Sequence, residues 1–147
     1  MSLDDWARNG WIKPHRTSPQ EIRQLLAAVR ADLVDAAKDL SPDWRFVIAY
    51  NAALRLGSVL LAVSGYQAER SQKHYRTIAV LPLILGPELQ DLSIYLDRCR
   101  VRRSAITYEA MGRVSESEAE ELITEVEGLR HRVEAWLVAE YPDLIGG

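Results

Sequence analysis

Apolar residues recur along this chain at the three- and four-residue spacing of amphipathic helices. The first such segment has Ser18 as a suitable N-cap, Pro19 at the first helical position and Glu21 to complete a capping box. The pattern predicts a helix from Pro19 with one buried face. Its apolar positions are Ile22, Leu25, Leu26, Val29, Leu33 and Leu40.

The next segment has the same start signals but is apolar on almost every side. Ser41 is suited to cap it, Pro42 to start it and Gly65 to end it. Its apolar stretch is nearly long enough to span a bilayer, but Asn51 and Arg55 lie near the middle, where lipid disfavours a charge. We therefore expect the most buried helix of a soluble protein, with no membrane contact.

Three more helices are predicted. The third begins near Ser71 and is kinked or ended by Pro82. The fourth starts at Pro87 and carries a cluster of arginines, and the fifth starts with a capping box formed by Ser115 and Glu118. No segment alternates polar and apolar residues between hairpin turns, so no strand is predicted. The prediction is an all-α, up-and-down antiparallel bundle of four to five helices over residues 18–142. Residues 1–17 form an N-terminal arm that Trp6 and Trp11 fold back onto the bundle.

Composition and charge limit the possible ligands, cofactors and location of the protein. The 147 residues suit one domain, and the net charge of −3 argues against nucleic-acid attraction by the whole surface, so only a local patch would serve. Cys99 is the lone cysteine and the first residues lack the apolar stretch of a signal peptide, which together predict a cytoplasmic protein. There is no phosphate-binding glycine loop and no Cys/His cluster, so neither a cofactor nor a metal is expected.

The stretch "YLDRCRVRRSAITYE", residues 95–109, concentrates positive charge on the fourth helix. On a helical wheel Arg103 falls in the middle of the core face, whereas Arg98 and Arg102 fall on an ordinary polar side. A guanidinium on a core face either reaches solvent, forms a structural ion pair or binds an anion. The apolar residues of that face are Leu89, Leu92, Leu96, Cys99, Ile106 and Ala110.

Two further lines of residues bear on binding. A second apolar line on the fourth helix, well away from the first, predicts contact with another copy of the chain and hence a homodimer. It consists of Ile94, Val101, Ala105 and Tyr108. On the second helix a thin polar seam of Asn51, Arg55 and Ser58 is either its solvent edge or the lining of a groove beside the arginines.

Three segments together resemble the HEPN (higher eukaryote and prokaryote nucleotide-binding) proteins over residues 18–140. "WRFVIAYNAALRLGSVLLAVSGY" resembles their second helix, "HYRTIAVL" their His-led third helix, here led by His74, and "RCRVRRSAITYE" their fourth-helix motif, R-x4-6-H. In this alignment Arg103 takes the arginine position and Tyr108 the histidine position. The chain departs from the ribonuclease pattern at Tyr108 and at Ser104, where the family often has Asn, Asp or His.

The resemblance implies a helical bundle, usually dimeric, with two motifs facing each other across a two-fold axis. Many members are metal-independent ribonucleases of toxin–antitoxin, phage-defence or CRISPR systems, and others are non-catalytic partners of nucleotidyltransferases. A tyrosine, with a pKa near 10, is a poor base beside histidine, whereas an arginine still binds phosphate bidentately. The motif here is therefore better suited to binding an anion than to catalysis.

Two hypotheses remain open. In the first, the protein is a dimer that binds RNA or nucleotide phosphate, with or without ribonuclease activity. Arg103 and Tyr108 would then be its catalytic pair. The residues expected to line its binding site are Arg98, Arg102, Arg103, Asn51, Arg55, Ser58, Ser104 and His74. In the second, it is an interaction module, antitoxin-like or accessory to a nucleotidyltransferase or defence enzyme, and its second apolar line binds protein.

Overall fold

The computed structural model describes residues 1–106 and 112–145 and confirms an all-α bundle. A one-turn 3-10 helix over Pro87–Leu89 leads into α5. The elements in chain order are α1 (Leu3–Arg8), β1 (Ile12–Pro14), α2 (Pro19–Ala36), α3 (Pro42–Val63), β2 (Tyr66–Ala68), α4 (Lys73–Leu85), α5 (Gln90–Ser104), α6 (Glu116–Glu140) and α7 (Pro142–Ile145).

The helix starts follow the predicted caps. The hydroxyls of Ser18, Ser41 and Ser115 each accept a hydrogen bond from the backbone N–H three residues on. The full capping box forms at Ser115. At Ser18 the Glu21 carboxylate instead accepts a hydrogen bond from Thr17 at 2.6 Å and pairs with His15 at 2.7 Å, so the capping box predicted there is wrong. Thr17 and His15 of the N-terminal arm bind the carboxylate in place of the backbone N–H of Ser18.

Helix α3 is the core of the bundle. It packs against α2, α4, α5 and α6, and its side chains are buried on nearly all sides. Although α3 is long and apolar enough to cross a membrane, 67% of its most apolar window is buried inside the bundle. That burial is typical of the core helix of a soluble protein.

Gly57 allows α3 and α4 to approach closely. A Cβ built at Gly57 would lie 2.5 Å from the Thr77 carbonyl oxygen and 2.6 Å from its methyl group. Neither helix can relieve this contact by rotating a flexible side chain, because one of the atoms is backbone. The crossing of the two helices therefore requires glycine at this position.

Pro82 lies inside α4, which continues to Leu85. Of the two predicted outcomes, that Pro82 kinks or ends the helix, the ending at Pro82 is wrong, and the reason is a hydrogen bond from another helix. Proline has no N–H to donate to the carbonyl four residues earlier, that of Ile78. The buried Ser93 hydroxyl of α5 donates to that carbonyl at 3.0 Å, so the group freed by proline stays satisfied.

A short antiparallel ribbon was not predicted. β1 pairs with β2 in the register Ile12 with Ala68 and Pro14 with Tyr66. Three-residue strands are too short to show an alternating pattern, so sequence periodicity could not reveal them. The ribbon holds the N-terminal segment against the bundle, where Trp6 is buried in a second apolar cluster with Leu61 and Val80.

Helix α5 ends earlier than the wheel assumed. Its last residue is Ser104, whose hydroxyl donates to the Val101 carbonyl at 2.7 Å and so competes for a backbone acceptor near the helix end. Beyond it, Asp43 accepts hydrogen bonds from the backbone N–H groups of Gly112 and, at 2.9 Å, Val114. Tyr108 and Ala110 lie outside the described residues.

The Gly57 contact gives a stability prediction. Gly57→Ala should lower the free energy of unfolding by about 1–3 kcal/mol, because the added methyl group must separate two packed helices. Gly128→Ala, within α6, is the matched control, since its Cβ meets no atom within 4 Å and alanine favours helix. It should gain about 0.5–1 kcal/mol. Urea denaturation measures both, and equal effects of the two substitutions would contradict the packing argument.

Candidate anion-binding site

A basic hollow opens at the start of α4. Its volume is about 640 Å³, and no carboxylate lines it among the described residues. The hollow therefore concentrates positive charge on the surface of a chain whose net charge is −3. The lining residues are Arg70, Gln72, Lys73, His74, Tyr75 and Arg100.

Three segments, the link from β2 to α4, α4 itself and α5, bring this charge together. The link from β2 to α4 supplies Arg70, and Gln72 stands at the N-terminal boundary of α4 in the left-handed region, with φ 56°. Such a conformation is unfavourable for a residue other than glycine and is concentrated at functional sites. The third contributor is Arg100 of α5, whose Nε donates to Asp97 at 2.8 Å. Its terminal nitrogens have no hydrogen-bond partner among the described residues.

Arg103 does not line this hollow, but its charge acts on His74, which does, and no carboxylate pairs with Arg103 in the described ranges. It is half-buried, and its Nε is buried with no hydrogen-bond partner there. Arg45, Arg55 and Arg102 are each held by a carboxylate, whereas Arg76, like Arg103, is half-buried with an Nε that has no partner among the described residues, and it lies over the Trp11 ring. A buried, unpartnered guanidinium nitrogen is unfavourable unless a ligand binds it.

Tyr50 is a site residue that the sequence interpretation missed. Its side chain is fully buried in α3, yet its hydroxyl has no hydrogen-bond partner among the described residues. Its ring centroid lies 6.3 Å from that of His74. Burial raises the pKa of Tyr50 to about 12, while the nearby Arg100 and Arg103 oppose that rise. A tyrosine hydroxyl within the helix predicted to be the most buried was the available signal.

His74 interacts electrostatically with both Arg100 and Arg103. Desolvation lowers the pKa of His74 below its usual value of 6.5, and the positive charges of Arg103, Lys73 and Arg100 lower it further. The imidazole is therefore predominantly neutral at pH 7, so it can accept a proton. The positive charges that disfavour protonation of His74 also attract a phosphate group.

Several predicted site residues have other partners. Arg102 pairs with Glu118 and donates to the Arg113 carbonyl at 2.6 Å, which ties α5 to the start of α6. Ser104 bonds to its own helix. The exposed Arg98 borders two other hollows, one between α4 and α5 and one beside Cys99. The Cys99 side chain is buried in the core, and this burial raises the pKa of its thiol to about 11.

The polar seam of α3 does not assemble around the arginines. Arg55 pairs with Asp32 of α2, and Ser58 lines a separate hollow with His15 and Glu21. Asn51 is half-buried. Tyr108, which the motif places in the site, lies outside the described residues. Arg103 and His74 are therefore the predicted residues that the structure brings together, with Arg100, Lys73 and Tyr50 as additions.

A metal site is not evident in residues 1–106 and 112–145. No group of three or more His, Cys, Asp or Glu side chains is arranged there to hold a metal ion.

Comparison with known proteins gives one family. A family model described as HEPN_SAV_6107-like HEPN matches residues 36–134, about two thirds of the chain. The matched range includes α3, α4 and α5, which carry Tyr50, His74, Arg100 and Arg103. No curated protein and no solved structure matches the chain.

The site geometry makes a prediction about His74. In an NMR pH titration its imidazole should titrate below 6.5, and Arg103→Ala should move that pKa upward toward 6.5, because removing a neighbouring cation favours the imidazolium. Arg23→Ala, on the exposed face of α2, removes the same charge and should leave the His74 titration unchanged. Identical His74 curves for wild type and Arg103→Ala would show that the two side chains do not interact.

Proposed function

The chain belongs to the HEPN family, and from that premise we propose that it binds the phosphate groups of RNA or of a nucleotide in the basic hollow, with Arg103 beside the bound anion. The single observation that carries this proposal is a hollow lined by Arg70, Lys73 and Arg100 with no lining carboxylate among the described residues. An anion there would also lie near the positive charge of Arg103, which acts on the lining residue His74. The anion would face Arg70 and Lys73, which form no ion pair among the described residues.

Each basic residue has a distinct part in this binding. The planar guanidinium groups of Arg100 and Arg103 suit the two oxygens of one phosphate, and Lys73 supplies a point charge. Asp97 holds Arg100 through its Nε, which leaves the two terminal nitrogens to donate. The protein positions these donors before the ligand arrives, which lowers the entropic penalty of binding.

Ribonuclease activity is a second candidate, favoured by His74. A neutral imidazole near Arg103 is suited to accept the proton of an RNA 2′-hydroxyl as its oxygen attacks phosphorus, while the bond to the 5′-oxygen breaks and that oxygen takes a proton from water. Arg103 would stabilise the charge that develops on the phosphate. The reaction needs no metal, and the products are a 2′,3′-cyclic phosphate and a 5′-hydroxyl. Such an enzyme would serve as a toxin or a defence nuclease.

We propose that the chain forms a homodimer through α5. Ile94 is 46% exposed and Val101 55% exposed, and Ala105 extends the same line. Exposed aliphatic side chains aligned on one helix favour contact with an apolar partner surface. The same observation supports the alternative of a non-catalytic interaction module, whose α5 binds an antitoxin or a nucleotidyltransferase instead.

The phosphate proposal predicts charge-selective weakening of RNA binding. Arg103→Ala and Arg100→Ala should each weaken binding of a fluorescent single-stranded RNA by about ten- to a hundredfold, because each removes a charge-assisted hydrogen bond. The slope of log affinity against log salt should become shallower by about 0.7 for each phosphate that the variant no longer neutralises. Fluorescence anisotropy across a salt series measures both quantities, and a denaturing gel of the same RNA reports cleavage.

Arg23→Ala is the matched control for this experiment. It removes one positive charge from α2, where Arg23 borders a hollow against α6, and should leave RNA affinity unchanged. Arg103→Ala should not destabilise the fold, since it removes a half-buried charge that no described carboxylate balances. Absence of RNA and nucleotide binding by the wild-type protein would reject the proposal.

The dimer proposal predicts a position-specific effect of charge. Val101→Asp should convert the protein to a monomer at micromolar concentration, because a carboxylate would be buried in the apolar contact. Val138→Asp is the control, since Val138 of α6 is 62% exposed and lies off the α5 line. Light scattering after size-exclusion chromatography measures the mass. A monomeric wild type, or a dimer that survives Val101→Asp, would contradict the proposed interface.

A further inference from the structure

Tyr75 occupies the ridge between two hollows. It directly follows His74 on α4 and lines the basic hollow, and it also lines a second hollow of about 250 Å³ between α4 and α5. Ile78, Ala79 and Ile94 give this second hollow apolar walls. Gln90, Ser93, Asp97 and Arg98 add polar groups to its lining, so one aromatic side chain separates the basic hollow from a hollow of mixed character.

The ring of Tyr75 remains available to a ligand. The side chain is 39% exposed, in contrast to Tyr50, which is completely buried. Two guanidinium carbons lie near its centroid, that of Arg76 at 5.1 Å and that of Arg100 at 5.8 Å. These cations interact favourably with the ring and restrict its motion, so an aromatic platform is held next to the phosphate-binding charges.

Both guanidinium groups are themselves fixed in position. Arg76 lies 3.6 Å from the ring centroid of Trp11 and donates to the Gln72 side chain at 3.4 Å. Arg100 is held by Asp97. Tyr75 therefore lies between anchored groups, which reduces the conformational entropy that ligand binding would otherwise remove.

We infer that Tyr75 is a base-stacking residue that makes the site selective for single-stranded RNA. This inference rests on the proposed function, since the phosphate must bind in the basic hollow for a neighbouring base to reach the ring. A basic surface beside an exposed aromatic ring is the arrangement by which proteins bind unpaired nucleotides. A base within a duplex is stacked on its neighbours and presents no free face to Tyr75.

The test is a double-mutant cycle between Tyr75 and the bases of the ligand. One ligand is a short single-stranded RNA, and the other is a backbone of equal length whose riboses carry no base. Tyr75→Ala should lower affinity for the normal strand by about five- to a hundredfold. It should leave affinity for the abasic strand unchanged, because only a base can stack. Tyr75→Phe should bind both strands as the wild type does, since it keeps the aromatic ring.

Two further arms complete the experiment. The wild type should bind the single strand more tightly than a duplex of the same sequence, and Tyr75→Ala should reduce that preference. Trp44→Ala, at an exposed aromatic of α3 outside both hollows, should leave all affinities unchanged.

Equal reductions in affinity for normal and abasic strands would overturn base stacking while phosphate binding stands. Wild-type protein that binds neither strand would overturn both the stacking inference and the proposed function.

Discussion

The rest of the structure depends on the burial of α3 on nearly every side. Because α2, α4, α5 and α6 all pack on this one helix, none of its faces can carry a polar group that lacks a partner without destabilising the fold. Arg45 satisfies this requirement by donating to the Ala36 carbonyl at 2.7 Å and pairing with Glu116 and Glu120. Arg55 satisfies it through Asp32. The Tyr50 hydroxyl is the exception among the described buried polar groups of α3, and the Tyr50 side chain lies near His74 and the arginines of α5.

Carboxylates hold the structural arginines, whereas among the described residues Arg70 and Lys73 of the basic hollow have no such partner and Arg100 has only Asp97. Acidic residues of α6 neutralise Arg45 and Arg102, and those contacts join α6 to α3 and α5. No such residue borders the basic hollow in the described part of the chain. An acidic protein thus retains a local positive surface, because its negative charge lies on other faces. Whole-chain charge alone would have concealed this surface.

The sequence predicted the parts of the fold that local rules control. Serine caps and apolar periodicity located the starts of α2, α3 and α6, because both signals act within one helix turn. The persistence of α4 through Pro82 was not predictable, since it depends on a hydroxyl from Ser93 in another helix. The same distinction holds for the site. The helical wheel marked Arg103 as a candidate, whereas the convergence of Arg70, Lys73 and Arg100 depends on how two helices and a link meet.

The N-terminal segment shows how a distant part of the chain positions this site. β1 pairs with β2, and only Glu69–Gln72 separate β2 from α4, so the ribbon fixes the link that carries Arg70. Trp6 and Trp11 pack edge to face at 5.8 Å, and the Arg76 guanidinium lies over the Trp11 ring. Arg76 is in turn within reach of Gln72 and Tyr75, so the contacts run continuously from the first helix to the hollow. Because rigid neighbours hold the lining residues before any ligand is present, the geometry of the basic hollow is a property of the whole fold rather than of the arginine helix alone.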